Sequence, residues 1–209
     1  MSSRFRLSFL AMSAATALPL SACVDPKQTF EEFEQRVVDA APREGGCTPV
    51  DFFPISGEFL LSIQTPIGGP LRIILNGTTT ANEAGGTTDL TFQPIVAERC
   101  VAGMGGQPAG DELPPITDIP IGPDGTFSLT QTAATTPGGA NPITCSDILA
   151  DISFSGCMLS ETSFCGEVTG MVMEPIPLSL EGSTFGAVQI EPGARGDENL
   201  PEAVIACPE

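Results

Sequence analysis

Histidine, tryptophan and tyrosine do not occur in this chain, and its only lysine is Lys27. The lack of histidine removes Ser-His and Cys-His nucleophile pairs, histidine-ligated zinc and the commonest proton carrier near neutral pH. No two cysteines stand in a CxxC arrangement, so a zinc site built on thiolates has no spacing to support it either. The 26 acidic residues contain many possible carboxylate pairs, but there is no tryptophan or tyrosine to form the usual sugar-stacking platform. Basic residues are also scarce, at 8 Lys and Arg, which gives a formal net charge of -18. Phosphate neutralisation needs clustered cations, so nucleic acid is not expected as a partner. The absences together predict a protein that is not an enzyme, with no cofactor and no catalytic or metal residue.

What is present begins with an address. Arg4 and Arg6 precede an apolar stretch running from Leu7 to about Leu20, and Leu20-Ser21-Ala22-Cys23 follows it. The stretch is broken by Ser8, Ser13, Thr16 and Pro19, and is shorter than the roughly 20 residues needed to cross a bilayer core. These 23 residues resemble the signal peptide and lipobox of bacterial lipoproteins. The resemblance implies cleavage between Ala22 and Cys23, a diacylglycerol on the Cys23 thiol, and an acylated new amino terminus. Two or three acyl chains hold stably, since each buried methylene contributes about 0.8 kcal/mol. Val24, rather than aspartate, follows the anchor, which by the same resemblance implies the outer membrane. Removing residues 1 to 22 leaves six basic against 26 acidic residues, 6 − 26 = −20, a charge that repels anionic headgroups and keeps a tethered protein soluble. Lys27 lies so close to the anchor that a Ser-Lys pair would have to form at the membrane edge.

Six cysteines remain after Cys23: Cys47, Cys100, Cys145, Cys157, Cys165 and Cys207. In an exported chain this even number predicts three disulfides and an oxidising compartment. The mature length suits one domain. The chain accordingly divides into a signal peptide (1–22), an anchor with an N-terminal helix (23–46) and a disulfide-stapled β domain (47–209). Phe30, Phe33, Val37 and Ala41 recur at helical spacing and predict an amphipathic helix over 25–41, started by Asp25-Pro26 and ended by Pro42 with Gly45-Gly46.

From Gly57 onward the period changes to two. Phe59, Leu61 and Ile63 form the first alternating set, Leu71, Ile73 and Leu75 the second, and Leu90, Phe92 and Val96 the third. Gly68-Gly69 and Gly85-Gly86 mark hairpin turns, Val101 to Pro115 reads as an irregular loop, and Asp124-Gly125 turns into a strand with Phe127 and Leu129. Further alternation runs to Ile190, giving seven or eight strands in an antiparallel sandwich or small barrel. A hairpin folded symmetrically about Glu161 would place Met158 against Phe164, Phe154 against Val168 and Gly156 against Gly166. Cys157 would then face Cys165 on the opposite face, so a cross-strand disulfide is expected there. The glycine row Gly156, Gly166 and Gly170 leaves room for strand bending, close packing or a ligand, and packing or bending is its ordinary use.

Smaller motifs carry little chemistry. Asp111-Glu112 and Asp197-Glu198 read as solvated loops, Arg195-Gly196-Asp197 as a turn near the C-terminus, and Asn76-Gly77-Thr78 as a turn or strand end. The leading functional reading is a lipid-anchored, non-catalytic structural or interaction lipoprotein of the cell envelope, whose partners are the membrane and another envelope protein. The alternative is a carrier of a small hydrophobic ligand, similar to the lipocalin group in its order of one helix and antiparallel strands. A sizeable apolar cavity favours the carrier, and a filled core with an exposed apolar patch favours a protein partner.

Overall fold

The computed structural model describes Cys47, Thr48 and residues 52–208. The helix expected over 25–41 lies outside the described residues, as do Ala22 and Cys23. Alternating apolar residues separated by turns, several of them glycine-containing, give nine strands among the described residues: β1 (Ser56–Gln64), β2 (Leu71–Asn82), β3 (Gly85–Pro94), β4 (Leu113–Ile121), β5 (Thr126–Thr136), β6 (Ile148–Ser160), β7 (Ser163–Glu174), β8 (Leu178–Ser179) and β9 (Ser183–Gln189). Neighbours pair antiparallel from β1 through β7; β9 then bridges β7 and β1, closing an eight-stranded barrel. The two-residue β8 pairs with the end of β7 as an extra strand. The all-β expectation holds, and of its two forms the barrel is the one adopted.

Closure needs strongly bent strands, and the bends fall at bulges. The β5–β6 register shifts between Gln131 and Ala134, where Ala133 takes a φ of 51°. The β3–β4 register shifts on either side of Leu90, and Asp118 on β4 takes a φ of 58°. Both left-handed residues give their backbone N–H to a carboxylate on the neighbouring strand, Ala133 to Asp151 at 2.8 Å and Asp118 to Asp89 at 2.9 Å. These charge-assisted bonds offset the cost of non-glycine residues at positive φ. Strand β4 pairs with β5 only at Ile121↔Phe127.

The hairpin register read from sequence is the observed one. Met158 faces Phe164, Phe154 faces Val168, Gly156 faces Gly166 and Cys157 faces Cys165. Phe154, Met158, Phe164 and Val168 point into the barrel, where they meet Phe59, Leu61 and Phe185. The ring of Phe185 fills the space above the glycines. A Cβ on Gly156 would lie 2.8 Å from Phe185 Cζ, and one on Gly166 2.9 Å from Phe185 Cε1. Phe185 also stacks edge-on against Phe154 with ring centroids 5.4 Å apart, and Phe59 tilts against Phe164 at the same separation. Each buried ring contributes roughly 1.5–3 kcal/mol by transfer, and such ring pairs add about 0.5–1.5 kcal/mol. Phe52 and Phe53, just ahead of β1, pack against the same core, with Phe52 lying 2.8 Å from the Cβ position of Gly86. One end of the barrel is thereby plugged with aromatic rings.

The expected Cys157–Cys165 disulfide does not form. The bonds are Cys47–Cys157, Cys100–Cys145 and Cys165–Cys207. The facing cysteines lie on the outer side of the hairpin, across which the segments before β1 and after β9 pass, and each captures one of those segments. Val204 lies over the outer face of β9, its carbonyl carbon 2.9 Å from the Cβ position of Gly186. The sequence separations are 110 and 42 residues, so each bond constrains far more of the unfolded chain than a link across the hairpin would. Three disulfides fit an exported protein.

The C-terminal segment is also held by charge. Arg195 bonds Glu58 at 3.1 Å, and Arg72 bonds Asp197 at 2.6 Å. Arg195-Gly196-Asp197 is thus tied down by an ion pair on either side of a turn whose glycine has φ 84°. Asn76-Gly77-Thr78 lies within β2 rather than at a turn or strand end, because β2 continues to Asn82.

Candidate apolar pocket at the barrel mouth

The end of the barrel opposite the aromatic plug is hollow. Inward positions there carry branched and small side chains, including Ile63, Ile73, Leu129, Ile152 and Val172, which do not reach across the interior. A cavity of about 150 Å³ remains, floored by Phe154 and Phe92. A Cβ on Gly156 or Gly166 would meet Phe185 and neighbouring backbone, and neither glycine lines the cavity, so the glycine row serves packing as expected.

Three connections frame the opening. The β1–β2 turn contributes Thr65, Ile67 and Gly69, the segment between β5 and β6 contributes residues 141–144, and the turn after β7 contributes Pro175 and Ile176. Ile67 and Ile176 are 49% and 59% exposed, so the rim itself is apolar. Such exposure is unfavourable in water and is offset when an apolar ligand covers it. Gly68 closes on the second connection, since a Cβ there would sit 2.6 Å from Ile143 Cγ1.

The 137–147 connection is well braced despite its lack of regular strand. Asn141 is buried, and its Nδ2 donates to Thr144 Oγ1 at 2.7 Å and to the Ser146 carbonyl at 2.8 Å. Its Oδ1 accepts the Ile143 backbone N–H at 3.0 Å. The Asp147 carboxylate accepts the Gly138 N–H at 2.7 Å. Cys100–Cys145 and the Ala97 N–H to Gly139 carbonyl bond at 2.9 Å then fasten this connection to the segment between β3 and β4. That latter segment, expected as an irregular loop, folds around Glu98, whose carboxylate accepts Gly103 N–H at 2.7 Å and Gly105 N–H at 2.9 Å. The pocket rim therefore rests on a cross-linked support rather than a free loop.

Among the described residues, no charged side chain, serine or cysteine lines the pocket. The polar groups are Thr65, Gln131, Thr135, Thr136, Asn141 and Thr144. Several are already engaged: Thr65 gives its hydroxyl to the Ile67 carbonyl, and Asn141 and Thr144 bond each other. The displaced titrations lie elsewhere. The Arg195 hydrogen bond is the main cause holding the Glu58 carboxyl below its ordinary value, helped by the Gly193 N–H, while partial burial opposes it. Backbone N–H groups of Gly103 and Gly105 lower Glu98, and the Thr126 hydroxyl and N–H lower Asp124. Each stabilises a turn or a strand junction, and none faces the cavity.

The residues named from sequence do not form this site. Cys100 and Cys145 brace its rim, Cys47, Cys157, Cys165 and Cys207 staple the chain to the outer wall, and Asp111-Glu112 is exposed ahead of β4. The pocket residues were missed because period-two alternation identifies which side chains face inward, not whether they meet. One signal was available: aromatic residues concentrate on inward positions near the closed end, and the mouth-side positions of β5 and β7 carry none. Comparison of the chain with protein-family profiles, with curated proteins and with solved structures finds no match.

Proposed function

We propose that this protein is a lipid-anchored lipoprotein of the bacterial cell envelope that binds a small hydrophobic ligand in the mouth of its barrel, without catalysing a reaction. The observation that carries the reading is the apolar cavity of about 150 Å³ that opens through an apolar rim, in a barrel whose other end is filled with aromatic rings. Of the two functions weighed on sequence, the lipocalin-like carrier gains from this geometry over a purely structural or interaction role, which needs no hollow. Composition supports the non-catalytic part, since the chain has no histidine and, among the described residues, the pocket wall offers no carboxylate, amine or thiol. The lipobox ending at Cys23 supports the anchor, and Val24 supports the outer membrane as its address. The test is titration with the uncharged one-ring fluorophore anisole, whose emission no tryptophan or tyrosine of the chain obscures. Saturable binding is expected in the wild type, with affinity falling at least tenfold in Ala134→Phe, where a ring grows from β5 into the cavity. A wild type that gives no saturable signal overturns the carrier reading.

A further inference from the structure

We infer that the pocket selects uncharged ligands with about one ring of apolar bulk and a single hydrogen-bonding group, and that Gln131 orients that group. The inference rests on the carrier reading and adds the chemical class of its cargo. Size sets the first limit. A cavity of this volume lined by leucine, isoleucine and phenylalanine holds about one benzene ring, whereas a longer chain would have to protrude past Ile67 and Ile176.

Charge sets the second limit. A carboxylate or phosphate drawn into the cavity needs a cation or several donors to replace its water, and among the described residues the lining supplies no arginine or lysine. Arg72 and Arg195 are each engaged with a carboxylate, by Asp197 and Glu58. The chain's net charge of -18 opposes anions further. An ammonium is disfavoured in the same way, since no aspartate or glutamate stands in the wall among the described residues.

Gln131 supplies the one side-chain amide of this wall that is not already engaged, beside the hydroxyls of Thr135 and Thr136 nearer the rim. It shares the inward parity of Phe127 and Leu129 on β5, faces Ile152 on β6, and precedes the bulge that re-aims the strand. No hydrogen bond to its side-chain amide is found among the described residues, in contrast to Asn141, whose amide is consumed by its own loop. An amide both donates and accepts, so an alcohol, ketone or ester satisfies it.

The test uses three compounds that share one ring: toluene, benzyl alcohol and benzoate. Each is titrated at pH 7.5 by calorimetry into the full chain, exported with its disulfides formed and freed of detergent. Toluene and benzyl alcohol should bind and benzoate should be weaker by roughly 100-fold or more. Gln131→Met should weaken benzyl alcohol roughly three- to tenfold, the size of one neutral hydrogen bond, and leave toluene within about twofold. In the wild type the Gln131 side-chain amide resonances should shift with benzyl alcohol and not with toluene, a readout that does not depend on the variant folding. Benzoate binding as tightly as toluene would overturn the charge rule. Amide resonances equally unmoved by both neutral compounds would overturn the role of Gln131. Failure of all three compounds and of the fluorophore would instead remove the carrier reading beneath the inference.

Discussion

A methyl group at Gly166 should make the barrel easier to unfold while leaving the mouth pocket intact. The new Cβ would lie 2.5 Å from Gly156 Cα and 2.9 Å from Phe185 Cε1, and it would also press on the Ser155 carbonyl oxygen. Backbone on one side and a fully buried ring on the other leave little room to adjust, so the cost should fall in the overpacking range of about 1–3 kcal/mol. For a domain of this size that corresponds to a fall in Tm of about 2–12 °C. Gly69→Ala is the matched control, because nothing lies within 4 Å of its Cβ position and its φ is ordinary. Its effect should stay within about 0.5 kcal/mol of zero, or be slightly stabilising. Melting of both variants by circular dichroism, with fluorophore titration of Gly166→Ala, separates packing from binding. If Gly166→Ala melted with the wild type yet lost the fluorophore, the glycine row would line the ligand site and the division of the barrel into plug and pocket would be wrong.

Phe185→Ala should cost about 3–5 kcal/mol, since it removes a buried ring packed against three others, and chemical denaturation would measure it. Non-reducing peptide mapping should recover Cys47–Cys157, Cys100–Cys145 and Cys165–Cys207, and a peptide linking Cys157 to Cys165 would contradict the outer-wall stapling. Removing the last bond with Cys207→Ala in a Cys165→Ala background should cost about 2–4 kcal/mol. Because Glu58 titrates lower when folded than its unfolded value of about 4.3, its ion pair stabilises the protein above that pH and is lost as pH falls through the folded value. Glu58→Gln should therefore lower stability by about 1 kcal/mol at pH 6, with the gap from wild type closing as pH falls below the ordinary glutamate range in thermal melts. Cys23→Ala should abolish acylation and move the protein out of the membrane fraction; an unacylated variant that stayed membrane-bound would remove the basis for the anchor.

Local pattern made much of the barrel wall legible. The alternation around Phe59, Leu75, Phe92 and Phe154 became β1, β2, β3 and β6, and the symmetry about Glu161 gave the β6–β7 register because the apolar rows align on one face only in that pairing. Strand β4 was not legible: Pro114, Pro115 and Pro120 interrupt it, and it survives through its pairing with β3 rather than through its own propensity. Disulfide partners were illegible for a different reason. Parity tells that Cys157 and Cys165 share the outer face, but which distant segment crosses that face depends on the closed topology. The same limit hid the pocket. Alternation marks Ile63, Leu129 and Ile152 as inward, while the gap between them is set by the barrel's diameter and by the loops that hold its mouth.

The most direct test of the hollow mouth is an isotope-filtered NMR experiment on the labelled, disulfide-intact protein with unlabelled toluene. The account predicts intermolecular contacts from the ring protons to methyl groups of Leu129, Ile143 and Ile152, and none to Leu60 or Ile190 in the separate cluster under the C-terminal segment. Contacts confined to that outer cluster, or no contacts at saturating toluene, would contradict it.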